Sequence, residues 1–321
     1  MDKIAVLIPC YNEEVTIEKV ILDCKKFLPD AVIYVYDNNS TDKSVEIIKR
    51  NLDENVHLRY ERKQGKGNVI RTMFKDIDAK CYLLVDADDT YSLTNARQMC
   101  NMVLNENVDM VVGDRLSSTY FTENKRAFHN FGNKLVLNII NSFFNTDIKD
   151  VMTGMRCLSY EFAKTFPVIS KGFEVETEMT IHAAHYNMNI ANVVIDYKDR
   201  PKNSPSKLNT VQDGIKVIKM IFNLYKNYKP MRFFGTISVV LVVLASIFFI
   251  PVLIEFFNVG LVAKFPTLIV CSFVYLVAIL SFFTGVILST ISENDQRNFE
   301  IKLKIFHQVG NEMKISKMLI E

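Results

Sequence analysis

Short apolar runs alternate with helix-spaced apolar positions through the N-terminal third of the chain. Ile4–Ile8, Ala31–Tyr36, Val56–Tyr60, Cys81–Val85 and Val108–Val112 have the length and composition of buried strands. Between them, Val15–Phe27, Lys43–Asn51, Asn68–Lys75 and Asn95–Asn105 place apolar residues three and four apart, which predicts helices. Strand–helix–strand repetition predicts an α/β domain with a mostly parallel sheet and helices on both faces. Such sheets take ligands at the carboxyl ends of their strands.

The pattern changes after Arg232. Phe233–Ile254 is a run of 22 residues without a charge, and Phe265–Ile291 is a second run of 27. At about 1.5 Å per residue, each is long enough for the ~30 Å hydrocarbon core of a bilayer. Glu255–Lys264 joins them, so a transmembrane helical hairpin is expected. The competing reading is two buried helices of a soluble core, which are seldom so long and so free of charge. Ahead of the hairpin, Val211, Ile215, Ile218, Phe222 and Tyr225 recur at helical spacing among Lys216, Lys219, Lys226 and Lys229. A basic amphipathic helix in the headgroup plane fits this pattern, as does a helix packed on a core; the direct lead into Phe233 favours the first.

Charge refines this picture. The 321 residues carry 38 Lys and Arg against 36 Asp and Glu, a net charge of +2, which gives no reason to expect a nucleic-acid partner. Nine basic residues lie from Lys198 to Arg232 against two aspartates, whereas the connector has only Lys264. The positive-inside rule therefore places the N-terminal domain and the C-terminal tail in the cytoplasm. Met1-Asp2-Lys3 runs straight into the first strand, so no signal peptide is expected. The six cysteines (10, 24, 81, 100, 157 and 271) show no CxxC pair and read as buried small hydrophobes of a reducing compartment. His182 and His185 lie three apart on an expected helix, but no third metal ligand accompanies them.

The polar residues gather where the strands end. Strand one runs into Pro9-Cys10-Tyr11-Asn12-Glu13-Glu14 and strand two into Asp37-Asn38-Asn39-Ser40-Thr41-Asp42. Lys63-Gln64-Gly65-Lys66-Gly67 follows strand three as an expected flexible basic loop, and strand four ends in Asp86-Ala87-Asp88-Asp89. Residues two apart in extended chain project to one side, so Asp86 and Asp88 are expected to face one point. Paired oxygen ligands suit Mg²⁺ or Mn²⁺, whose other positions are filled by water and substrate phosphates. No GxxxxGK[ST] loop or GxGxxG fingerprint is present, which weakens NTPase and dinucleotide-dehydrogenase readings.

In that order, Pro9-x-Tyr11-Asn12-Glu13, Asp37-Asn38-Asn39-Ser40-Thr41-Asp42, Lys66-Gly67 and Asp86-x-Asp88 resemble the inverting family 2 glycosyltransferases of GT-A fold. Gly113-Asp114-Arg115, Asp150-x-x-Thr153-Gly154-Met155-Arg156, Gly172-Phe173-Glu174, Arg200 and Ser206-Lys207-Leu208 extend the likeness. It covers about residues 4–230 and is similar to the polyprenyl-phosphate branch, the bactoprenol glucosyltransferases and dolichol-phosphate mannose synthases. The resemblance implies that Pro9, Tyr11, Glu13 and Asp37 frame the nucleoside, that Lys66 lies near base or ribose, and that Asp86 and Asp88 hold the metal against the donor diphosphate. It implies that Arg126, Asn133 and Arg156 meet the acceptor phosphate. Arg200 and Lys207 would act on a segment covering the donor phosphates, the alternative for these cations being attraction to anionic lipid.

The expected organisation is then a GT-A catalytic domain over residues 1–208, a juxtamembrane helix over 209–232, membrane helices over 233–254 and 265–291, and a cytoplasmic tail over 292–321. Lipid phosphate as acceptor also fits the missing catalytic base. A phosphate monoester, with a second pKa of about 6, is already an ionised nucleophile at neutral pH, so alignment and leaving-group stabilisation suffice. The expected reaction moves a hexose, glucose favoured, from a UDP-sugar to undecaprenyl phosphate for cell-envelope glycan modification. The expected setting is the bacterial plasma membrane, and a homo-oligomer is compatible with it. GDP-mannose or a UDP-N-acetylhexosamine is the alternative donor, and a non-catalytic nucleotide-binding scaffold the alternative of another class. A processive polysaccharide synthase would need further membrane helices and a QxxRW motif; the chain has no Trp.

Overall fold

The computed structural model describes residues 1–118, 127–172, 174–199, 219, 222, 223, 225–262 and 264–318, by backbone alone at 127–135 and 306–318. The chain parts into two compact units, Met1–Val217 and Ile218–Glu321.

The first unit is built on one sheet. Its strands are β1 (Asp2–Cys10), β2 (Val32–Asp37), β3 (Val56–Tyr60), β4 (Ala79–Leu84), β5 (Met110–Asp114), β6 (Arg156–Ser159) and β7 (Ile190–Val194), in the order β3-β2-β1-β4-β6-β5-β7. The half from β3 to β4 is wholly parallel. β6 enters antiparallel between β4 and β5, and β7 closes the far edge parallel to β5. The helices are α1 (Ile17–Phe27), α2 (Ser44–Arg50), α3 (Lys66–Asp76), α4 (Ala96–Asn105), α5 (Ala127–Phe144), α6 (Tyr160–Thr165) and α7 (Val175–His185).

β1 shows why the sheet is covered on both sides. Ile4, Val6 and Ile8 enter one core with Ile17, Val20 and Ile21 of α1 and Met99 of α4. Ala5 and Leu7 point the other way, into a core with Val69 and Ile70 of α3, Phe162 of α6 and Met179 of α7. An unbroken apolar strand can therefore be buried on both faces, and each large aliphatic side chain so placed contributes about 1.5–3 kcal/mol.

The second unit holds α8 (Pro230–Val259) and α9 (Phe265–Met318). Pro230 opens α8, and Gly260 ends it in the left-handed region at φ +72°. The two helices meet along a seam where Ala245, Val252, Cys271 and Ala278 are buried, and the Ser246 hydroxyl lies 2.8 Å from that of Tyr275. A Cβ at Gly285 would stand 3.1 Å from Phe234 Cβ, so small residues set the close approach. Elsewhere the apolar side chains face outward: only 17% of the most apolar window of either helix is buried. That is the reverse of a soluble core, and the buried-helix reading does not fit. Both helices are long and apolar enough to cross a membrane. α9 continues unbroken from the expected second span into residues 292–318, where the sequence shows only a weak helical pattern. Most of the expected juxtamembrane helix, Val211, Ile215 and Ile218 included, lies outside the described residues.

Candidate active site

The loops after β1, β2, β3 and β4 are laced to one another. Asn12, at φ +52°, donates its backbone N–H to Ser40 Oγ (2.9 Å) and accepts the Thr41 N–H on Oδ1 (2.7 Å). The Glu13 N–H donates to Ser44 Oγ at 2.8 Å. Asn38 bridges to the third loop, donating to the carbonyls of Glu61 (2.8 Å) and Lys63 (2.9 Å) and accepting the Gly65 N–H (2.8 Å). Thr16 Oγ1 donates to the Ala87 carbonyl at 2.7 Å, tying the β1 loop to the acidic turn. Pro9 and Asp37 thus stand at the carboxyl ends of β1 and β2, and Tyr11 and Glu13 on the loop after β1, at one sheet edge. Tyr11 is exposed, while Glu13 and Asp37 are buried, Asp37 accepting the Ser40 N–H at 3.2 Å. Beside them, burial pushes the Cys10 thiol up to about 12, which makes it a poor nucleophile.

The acidic pair is placed differently from the extended-strand expectation. β4 ends at Leu84, and Ala87-Asp88-Asp89 form a turn with Asp89 at φ +56°. Asp88 is buried and accepts from Thr90, through Oγ1 at 2.7 Å and the N–H at 3.2 Å. Asp86 fills the space beside Gly154: a Cβ there would lie 2.1 Å from Asp86 Oδ2, so only glycine leaves room for the carboxylate. The Gly154 N–H is held by the Tyr91 hydroxyl at 2.9 Å. Hard carboxylate oxygens, one buried and one in a glycine cradle, fit a divalent cation such as Mg²⁺ or Mn²⁺.

Gly65-Lys66-Gly67 is not a free loop either. Lys66 and Gly67 open α3, and Gly65 alone turns the chain at φ +126°. Nor does Lys66 point to open solvent. Its ammonium is buried between Asp86 Oδ1 and Glu176 Oε1, each 2.5 Å away. Burial by itself would favour the neutral amine, but Asp86 and Glu176 outweigh it and hold the pKa above the ordinary lysine value.

Behind this pair, Arg115 Nε binds Asp150 Oδ2 at 2.7 Å. Arg156, implied to meet the acceptor phosphate, is wholly buried on β6. It donates through Nη2 to the Val151 carbonyl (2.6 Å) and through Nε to the Thr153 carbonyl (3.1 Å), so it shapes the 150–156 segment from within. Asn133 falls in α5, where the backbone alone is described; Arg126, Arg200 and Lys207 lie outside the described residues. Sequence reading missed Glu176. Its one signal was position: it lies in the first turn of α7, two residues after Gly172-Phe173-Glu174.

A doubly wound sheet with an acidic turn at its carboxyl edge, β6 reversed beside it, is the GT-A architecture of nucleotide-sugar transferases. Glucosyl-3-phosphoglycerate synthase from Mycobacterium tuberculosis, solved with Mn²⁺, UDP-glucose and phosphoglyceric acid, superposes with a TM-score of 0.53, covering 70% of this chain and 79% of that one. At 17% identity the likeness is one of fold. Residues 5–165 match glycosyl transferase family 2, and the chain belongs to that family. Glycosyltransferase AglJ of Haloferax volcanii is 30% identical over 238 residues, 74% of this chain and 77% of its own. The dolichyl-phosphate hexose transferase of the same organism is 25% identical over 220 residues, 68% of this chain and 92% of its own.

Proposed function

We propose that this glycosyltransferase moves a hexose, glucose favoured, from a UDP-sugar to undecaprenyl phosphate with inversion, at the cytoplasmic face of a bacterial plasma membrane. The observation that carries the reading is the joining, in one chain, of the acidic turn in its glycine cradle to two outward-apolar helices of spanning length. A soluble acceptor would need no such helices. Support also comes from a relative named for dolichyl phosphate and hexose, and from a fold neighbour solved with UDP-glucose and Mn²⁺.

Residues 1–208 form the catalytic domain in this reading, 209–232 a juxtamembrane helix, 233–254 and 265–291 the membrane spans, and 292–321 the tail. Asp86 and Asp88 would hold Mg²⁺ or Mn²⁺, which when bound neutralises charge on the donor diphosphate. Pro9, Tyr11, Glu13 and Asp37 frame the nucleoside, and Lys66 keeps positive charge beside Asp86. Arg126 and Asn133 meet the acceptor phosphate, Arg156 supports them from behind through the 150–156 segment, and Arg200 and Lys207 stabilise the departing diphosphate. The acceptor phosphate is ionised already, so these residues align and neutralise; none has to remove a proton.

Membranes containing the chain, supplied with labelled UDP-glucose, GDP-mannose and UDP-N-acetylhexosamine in turn, test the reading. Label from UDP-glucose should enter the organic-extractable lipid first. Label reaching lipid only from another sugar nucleotide would replace the donor, and binding without any transfer would favour the scaffold.

A further inference from the structure

Glu176, buried near the start of α7, is engaged through one of its two carboxylate oxygens. Its Oε1 takes Lys66, yet among the described residues its Oε2, also buried, finds no hydrogen-bond partner. A buried carboxylate oxygen left without a donor is costly and calls for an explanation. Lys66 also faces Asp86, the carboxylate that the proposed function assigns to a divalent cation. Two cations cannot share that partly buried carboxylate comfortably, since their repulsion is incompletely screened there. Lysine brings three donors on a flexible stem, and Glu176 has an acceptor in reserve.

We propose that Glu176 is a positioning residue of the donor site: it takes Lys66 over from Asp86 when a divalent cation binds Asp86 and Asp88. Asp86 then passes from one cation to another and is never bare, and the vacant Oε2 receives the second hydrogen bond of the displaced ammonium. Without cation, Lys66 keeps Asp86 in its place against Gly154. The inference rests on the metal-holding role of Asp86 and Asp88.

The test is Mn²⁺ titration of the full chain in detergent, with free Mn²⁺ read by electron paramagnetic resonance. The proteins are wild type, Glu176→Gln, Lys66→Met and the double variant. Removing the reserve seat pins Lys66 on Asp86, so Glu176→Gln should weaken Mn²⁺ binding about tenfold. In the Lys66→Met background there is no ammonium to seat, and the same substitution should change the affinity by less than about twofold. An equal loss in both backgrounds would mean that Glu176 acts only through its field, and would overturn the inference while leaving the metal site intact. No Mn²⁺ binding by wild type would overturn the metal-holding role and the inference together. Should Glu176→Gln fail to fold, Glu176→Asp keeps the charge but shortens the reach. Several-fold weaker binding supports the seat, and unchanged binding overturns it.

Discussion

In the sheet unit, Ile4 and Leu7 are fully buried; in the second unit, Val239, Phe248 and Phe257 are 64%, 61% and 76% exposed. Side chains of the same chemistry are thus placed inside in one unit and outside in the other. Water explains the first: β1 gains by turning both faces into helix-covered cores. The hairpin keeps its apolar stripe outward and buries a narrow seam of small residues, the arrangement expected when the surrounding medium is itself apolar. Burial alone therefore does not measure stability here: the outward apolar side chains of the second unit suit helices long and apolar enough to cross a membrane.

Substitutions can break the comparison where it matters most. Asp88→Asn should abolish divalent-dependent transfer, a loss on the order of a thousandfold, while the sheet stays folded by circular dichroism. Its Thr90 hydrogen bonds are weakened locally, but the amide keeps the size of the carboxylate. Phe248→Lys should cost about 3 kcal/mol of membrane insertion, measured in an insertion assay, if its outward face meets lipid. The exposed helix position Glu46→Lys in the sheet unit, which loses a first-turn carboxylate and its Arg50 partner, should shift stability by only about 1 kcal/mol. Gly154→Ala should push the Asp86 carboxylate aside, and a displacement of about 1 Å at such a group costs roughly a hundredfold in turnover. An unchanged rate would remove the glycine cradle from the account.

A smaller effect separates the units by pH. Burial among Phe162, Phe166 and Tyr186, with a lesser contribution from His185, pushes the His182 imidazole down to about 3. The unfolded chain takes up that proton near pH 6.5, so between these values it binds more protons than the folded one. Stability of the sheet unit should therefore fall as the pH drops below about 6.5, by at most about 1.4 kcal/mol per unit from this residue. His182→Phe should flatten that slope in urea titrations, whereas the uncharged stretch 233–254 of the hairpin offers no comparable group.

The parallel half of the sheet was legible because its strands are long, apolar and separated by helix-spaced segments; β3 has the predicted bounds, Val56–Tyr60. β6 and β7 were not read. β6 has four residues, and β7 is only partly buried, so neither leaves a clear alternation. The acidic turn was found from residue type, but its geometry was misjudged because the strand stops at Leu84 and a turn replaces the extended chain. Lys66 was seen as a basic loop residue; its burial against Asp86 and Glu176 depends on α7, more than a hundred residues away in sequence. Pairings at that distance are tertiary facts that local pattern does not carry. The two long apolar helices were legible from length and absence of charge, but the unbroken run of the second through 292–318 was not, because the weak apolar pattern there does not mark a continuing helix.

Full chain purified in detergent, supplied with undecaprenyl phosphate and radiolabelled UDP-glucose, can be assayed by label entering the organic phase with Mn²⁺ or with EDTA. A labelled lipid monophosphate sugar should form with Mn²⁺, and be lost with EDTA and lost again in Asp88→Asn. Lipid label that persists unchanged in EDTA and in Asp88→Asn would contradict metal-dependent transfer.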